Sequence, residues 1–180
     1  MELRDHLKEL GEQVEYNKGE MVFRQGEASQ YIYLIKQGLL KAYYITAGGK
    51  EFVKTFVWEN DFIGSLSAYH LPEQGCSYSL VCLEPAILHR LKFLELLDIV
   101  KQDPSLSITL INIFLHILAK KERREFEFLC LSAEERYQQI KEKTPELLER
   151  ATQNDIARYL GITPVALSRI RTRITKQGKS

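Results

Sequence analysis

The stretch "TQNDIARYLGITPVALSRIRTRI", Thr152–Ile174, sets an apolar helical pattern, a glycine and a second, basic helical pattern in immediate succession. In the first helix, expected over about Gln153–Leu160, Ile156 and Leu160 share one face and offer it to a core. Ala157 puts almost no side chain where a second helix has to cross closely. Gly161 then supplies the turn, because the residue after a helix commonly takes positive φ, which glycine adopts without a Cβ penalty. Thr163 is placed to cap the second helix and Pro164 to occupy its first position, where the missing N–H costs nothing. Leu167 and Ile170 face inward, which leaves Thr163, Val165, Ser168, Arg169, Thr172 and Arg173 outward. This order of small, glycine and apolar residues is the signature of a helix-turn-helix.

Charge decides between a merely solvated hairpin and a docking element. The chain of 180 residues has a net charge of +1, yet residues 1–135 hold 15 Lys/Arg against 20 Asp/Glu while residues 136–180 hold 10 against 4. From Thr163 to Ser180 there are five basic residues and no acidic one. A polyanion is therefore expected to dock at the C-terminal end alone, held off the acidic body. In such a motif the second helix enters the major groove of duplex DNA, where Arg169 is placed to bond a guanine edge and Val165 to touch a thymine methyl. Ser168 and Thr172 are in reach of bases or phosphates, and Arg171, Arg173, Lys176 and Lys179 are expected mainly to neutralise phosphate.

Upstream the texture differs. From Glu15 to Phe93 short β-type runs such as "QYIYLIKQG", "LLKAYYITAGG" and "KEFVKTFVW" are punctuated by glycines, the rhythm of hairpins and so of an antiparallel barrel or jelly roll. Residues 1–13 read as a short amphipathic helix. Asp103 as N-cap and Pro104 at the first position open one long helix, whose apolar residues between Leu106 and Leu118 cover nearly the whole circumference. Two packing partners are implied, the β-domain and the same helix of a second subunit. The following "AKKERRE" reads as a solvated face. Ser132 with Glu135 three residues later forms a capping box, Pro145 ends that helix and starts a small helical domain, and domain motion is expected to pivot near residues 128–133. The expected fold is α+β: a β-roll over 1–102, a dimerisation helix over 103–131 and a helix-turn-helix domain over 132–180.

From "YNKGEMVFRQGE" onward, and above all in "LSAEERY" and "IARYLGITPVALSRIR", the chain resembles the CRP/FNR family of transcription regulators, in particular its short Bacteroidetes-type members. The resemblance implies a cyclic-nucleotide-binding-type β-roll that senses a signal, a homodimer joined along the long helix, a winged helix-turn-helix on a promoter site of two-fold symmetry, and RNA polymerase as a partner. Here the chain ends soon after the second helix, so any wing is abbreviated. In the family's cyclic-nucleotide binders a Gly-Glu-Leu and a later Arg-Ser or Arg-Thr hold the ligand. The matching stretch "DFIGSLSAYHLPEQGCSYSLV" keeps Gly64 and Leu66 but has Ser65 for the Glu and Cys76 for the Arg. Without that fork-shaped cation the cavity lacks the main partner of an anion. Gly64, Ser65, Leu66, Ser67, Cys76 and Ser77 are thus the candidate pocket of an effector of unknown identity, with cyclic AMP not expected in the usual pose.

Other chemistry is not supported. Cys76, Cys82 and Cys130 form no CxxC pair, His6, His70, His89 and His116 show no ligand spacing, and "TAGGK" at 46–50 reads as a hairpin tip rather than a phosphate loop. No metal, cofactor or catalysis is expected. "MELRDHLKEL" has no apolar signal region and Leu106–Leu118 is too short to span a bilayer, which implies a cytoplasmic protein without a membrane anchor. A ligand-binding or protein-interaction module that has lost DNA binding is the alternative.

Overall fold

The computed structural model describes residues 3–177. After α1 (Leu3–Leu10), the glycine-punctuated region folds into β1 (Glu12–Tyr16), β2 (Met21–Phe23), β3 (Tyr31–Gln37), β4 (Leu40–Ile45), β5 (Glu51–Val57), β6 (Phe62–Ile63), β7 (Ser79–Cys82) and β8 (Ala86–Lys92). A short helix, α2 (Leu66–His70), and one 3₁₀ turn (Pro72–Gln74) lie between β6 and β7. The strands form two antiparallel four-stranded sheets, in the orders β1-β8-β3-β6 and β2-β7-β4-β5. Period-two alternation sends Phe23, Tyr33, Ile35, Leu40, Ala42, Tyr78, Leu80 and Leu88 into the space between them, which is the core of the roll.

The helices follow in sequence. They are α3 (Phe93–Gln102), α4 (Pro104–Cys130), α5 (Ala133–Lys143), α6 (Pro145–Arg150), α7 (Gln153–Leu160) and α8 (Pro164–Gln177). The start of α4 is the one its residues predict: Pro104 is the first helical residue and the Asp103 carboxylate accepts a hydrogen bond from the Ser105 N–H at 2.8 Å. The capping box at Ser132 and Glu135 is likewise present. α3 has no counterpart in the sequence reading. It begins directly where β8 stops, with no glycine, proline or side-chain cap at the junction, and its Phe93, Leu96 and Val100 join Leu7, Ile32, Leu34, Leu106 and Leu110 in a second core on the outer face of the first sheet. Burying Leu106 and Leu110 there leaves Ile108, Ile111, Leu115 and Leu118 exposed on the far side of α4.

A third core lies between the roll and the C-terminal helices. Leu39, Val53 and Phe56 of the roll pack with Tyr137, Ile140, Leu147, Ile156, Ala157, Leu160, Leu167 and Ile170. Charges close its margin. The Lys41 ammonium meets Asp155 at 2.8 Å and Glu51 at 2.6 Å, Arg158 meets Glu51 at 2.9 Å, and Arg150 bridges Glu59 and Glu84 at 3.0 and 2.6 Å. The hydrogen bonds from Arg150 hold the Glu59 carboxyl down to about 2. The helical domain thus docks on the roll's β4–β5 face.

Candidate nucleic-acid interface and effector cassette

Local chemistry builds the C-terminal hairpin. The Thr152 hydroxyl accepts from the Asp155 N–H at 3.2 Å and so caps α7. Gly161 takes φ 72 and ψ 23, left-handed, and a Cβ there would come within 3.1 Å of the Phe128 ring, so both the turn and the close approach require glycine. Ala157 is fully buried under the crossing of α8. The Thr163 hydroxyl accepts from the Ala166 N–H at 3.2 Å at the head of α8.

On α8, Leu167 and Ile170 are buried and Thr163, Val165, Ser168, Arg169, Arg171, Thr172, Arg173 and Lys176 are exposed. Ser168, Arg169, Thr172, Arg173 and Lys176 share one open concavity along the helix. Arg171 lies outside it, and Arg173 is already ion-paired with Glu134 of α5, so a phosphate must compete with that carboxylate. Val165 stands 62% exposed near the N-terminus of α8, a position that has no structural use for its isopropyl group. Lys179 lies outside the described residues.

The junction behind this hairpin is tied by arginines that the sequence does not single out. Arg136 donates to the carbonyls of Glu127 (3.2 Å), Leu131 (2.6 Å) and Leu160 (2.9 Å), joining the end of α4 to the end of α7. Arg124, from the run read as a solvated face, stacks on the Tyr159 ring with its guanidinium 3.6 Å from the centroid and donates to the Tyr159 carbonyl. The only sequence signal for either role is an arginine within a turn or two of an aromatic residue.

The second group of candidate residues lies at one end of the roll. The structure brings Ser65, Ser67 and Ser77 together: the Ser65 and Ser67 hydroxyls are 3.0 Å apart and both accept from the Ser77 N–H, at 3.2 and 3.1 Å. Ser67 also donates to the Gly75 carbonyl, and Tyr78 donates to the Gly64 carbonyl at 2.8 Å. The polar groups of this loop therefore satisfy one another. Cys76 lies beside the Ser65 hydroxyl. It is 1% exposed within the core of the roll, and burial raises the pKa of its thiol. Leu66 is exposed.

Among the described residues no group of three or more His, Cys, Asp and Glu is arranged to hold a metal, and no helix is long and apolar enough to cross a membrane.

Residues 13–103 match the family described as the cyclic nucleotide-binding domain. The chain is similar to the fumarate and nitrate reduction regulatory protein of Salmonella typhi, with 27% identity over 176 residues that cover 89% of this chain and 68% of that protein. It is similar to the regulatory protein HlyX of Actinobacillus pleuropneumoniae, with 24% identity covering 89% of this chain and 70% of that one. Among solved structures it superposes on FixK2 from Bradyrhizobium japonicum with a TM-score of 0.79 at 20% identity, covering 93% of this chain and 86% of that one.

Proposed function

This chain belongs to the CRP/FNR family of transcription regulators, built on a cyclic nucleotide-binding domain, and from that premise we propose that it reads a promoter site of two-fold symmetry as a homodimer through α8. Its relatives are regulatory proteins. One observation supports the interface most: every charged side chain on the outward face of α8 is basic, while Leu167 and Ile170 on its other face are buried. The alternative of a module without DNA binding would leave that face and the exposed Val165 without use. Arg169 reads a base, Val165 meets a thymine methyl, Thr163, Ser168 and Thr172 complete the polar contacts, and Arg171, Arg173 and Lys176 bind phosphate. The exposed stripe Ile108, Ile111, Leu115 and Leu118 supplies the dimer seam, and paired recognition helices must match half-sites about 34 Å apart. We assign 1–102 to sensing, 103–131 to dimerisation and 132–180 to DNA. A cytoplasmic, non-catalytic protein working with RNA polymerase is the setting this reading implies.

Gel shifts on genomic fragments over a salt series test it. Arg169→Ala is expected to cost about 1 to 3 kcal/mol and to relax specificity at one base pair, whereas Lys176→Ala should weaken all sequences alike and lower the salt slope by about one. Equal effects of both changes on specific and random DNA would refute these roles.

The roll is expected not to hold cyclic AMP in the family's usual pose. At the position of the phosphate-binding Arg stands a buried thiol, and the loop's hydroxyls are engaged with one another. Burying a phosphate charge there without a guanidinium costs several kcal/mol, of the order that separates micromolar from millimolar affinity. Calorimetric titration should show no micromolar binding of cyclic AMP; tight binding would mean that another cation reaches the phosphate.

A further inference from the structure

The cations of the C-terminal hairpin are not equally free. Among the described residues of α7 and α8 they are Arg158, Arg169, Arg171, Arg173 and Lys176, and the side chains of Arg169, Arg171 and Lys176 enter no ion pair with the described residues. Arg158 meets Glu51 of the roll, a contact that belongs to the docking of the helical domain. Arg173 differs. It lines the open concavity along α8 with Ser168, Arg169, Thr172 and Lys176, and its guanidinium donates to the carboxylate of Glu134 on α5. An acidic side chain thus stands at the margin of a face whose own charges are all basic.

Folding does not account for the pair. The capping box of α5 is closed by Glu135, whose carboxylate accepts from the Ser132 N–H at 2.8 Å and from the Ser132 hydroxyl at 2.7 Å. Glu134, also in the first turn, takes no part in that box; its partner is Arg173, 39 positions away. The Arg173 and Glu134 side chains are 59% and 29% exposed, and a pair so open to water contributes little to stability, because the attraction is screened and two long side chains must be ordered. What the carboxylate does offer Arg173 is the chemistry of a DNA phosphate: anionic oxygens that accept charge-assisted hydrogen bonds from a guanidinium.

We propose that Glu134 belongs to the DNA-binding surface as an internal stand-in for a backbone phosphate: it occupies Arg173 in the free protein and is displaced when a duplex seats on α8. The inference rests on the reading of α8 as the DNA-facing helix and adds to that interface a residue of another helix, acting against binding. Arg173 exchanges one anion for another, so its phosphate contact strengthens the complex less than that of an unpaired cation such as Lys176. The freed carboxylate stays beside the DNA backbone and holds a cation there, which cancels part of the counterion release that drives binding. Because phosphate contacts carry no sequence information, the weakening falls on operator and arbitrary DNA alike. Competition of this kind is reciprocal: seating of the duplex loosens the tie between α5 and α8 by the same factor as that tie weakens the duplex.

Gel shifts of the full chain between about 50 and 200 mM salt test it, on a duplex of scrambled sequence and on a genomic fragment that the wild type retains. Glu134→Gln is expected to tighten both by about three- to tenfold at the lower salt and to steepen the salt slope by up to about 0.9. The gain has to run through Arg173. In an Arg173→Ala background the Glu134→Gln change is expected to move affinity by less than about twofold, the signature of a pairwise coupling. Glu142→Gln removes the same charge from an exposed position at the other end of α5 and should leave the wild-type affinity within the same margin. Circular dichroism checks the helices; should Glu134→Gln disturb α5, Glu134→Ala, with the stronger helix former, decides. Unchanged affinity on removal of the Glu134 carboxylate, or an equal gain in the absence of Arg173 or from Glu142→Gln, overturns the inference and leaves the regulatory reading standing. Failure of the wild type and every variant to bind any duplex overturns the regulatory reading and the inference with it.

Discussion

Changing Ile111 to Asp is expected to leave the fold intact and to convert the protein from a dimer to a monomer in sedimentation at micromolar concentration. Ile111 and Leu115 are 56% and 57% exposed on α4, and with Ile108 and Leu118 they recur at spacings of three and four, the pattern of a helix seam. A carboxylate there meets water in the lone chain but would be buried against its copy in a dimer, so the cost falls on association and not on folding. Losing the dimer loses the gain from two half-sites bound at once, and DNA affinity should drop by about 10² to 10⁴. Leu115→Asp should behave alike. Wild-type protein that sediments as a monomer, or an Ile111→Asp dimer of unchanged affinity, would show that α4 is not the seam.

Lys41→Met should lower stability by about 3 kcal/mol, at the lower end of the range for breaking a buried ion pair. Lys41 and Asp155 are 7% and 6% exposed and belong to different halves of the molecule, so removing the ammonium strands a carboxylate at the docking surface. The loss is moderated because the Thr152 hydroxyl still donates to Asp155 at 2.6 Å. Replacing both members, as Lys41→Met with Asp155→Leu, should recover part of the stability, since two apolar groups strand no charge. The recovery is incomplete because Asp155 also serves the cap of α7. Urea unfolding of the two single variants and the pair gives the coupling energy; a Lys41→Met protein within about 0.5 kcal/mol of wild type would refute the assignment.

What could be read from the sequence was the chemistry that is local. Gly161, Thr163 and Pro164 announce their turn because each residue type suits one backbone state, and the same holds for Asp103–Pro104 and for Ser132 with Glu135. α3 escaped because nothing at Lys92–Phe93 interrupts the chain: its start is set by packing against Leu7 and Ile32, not by a cap. On α8 the inward and outward residues were separable by period alone, yet the ion pair of Arg173 with Glu134, 39 positions away, was not. The docking charges show the same limit, since Lys41 and Asp155 are 114 residues apart and each alone reads as a surface group. Cys76 could be matched to a motif position, but the direction of its side chain depends on how the loop folds back on Glu27.

The Arg136 tie crosses the end of α4 at the joint where the sequence suggests a hinge. With the carbonyls of Glu127, Leu131 and Leu160 on one guanidinium, the long helix and the C-terminal helices are expected to turn together. The 27 residues of α4 then act as a lever arm of about 40 Å. A tilt of about 5° at its roll end sweeps the far end through about 3.5 Å, close to the rise of one base pair. Such a molecule would need only a slight change of posture to move between registers on its operator, and slack introduced at Arg136 would blunt that response without touching either the roll or α8.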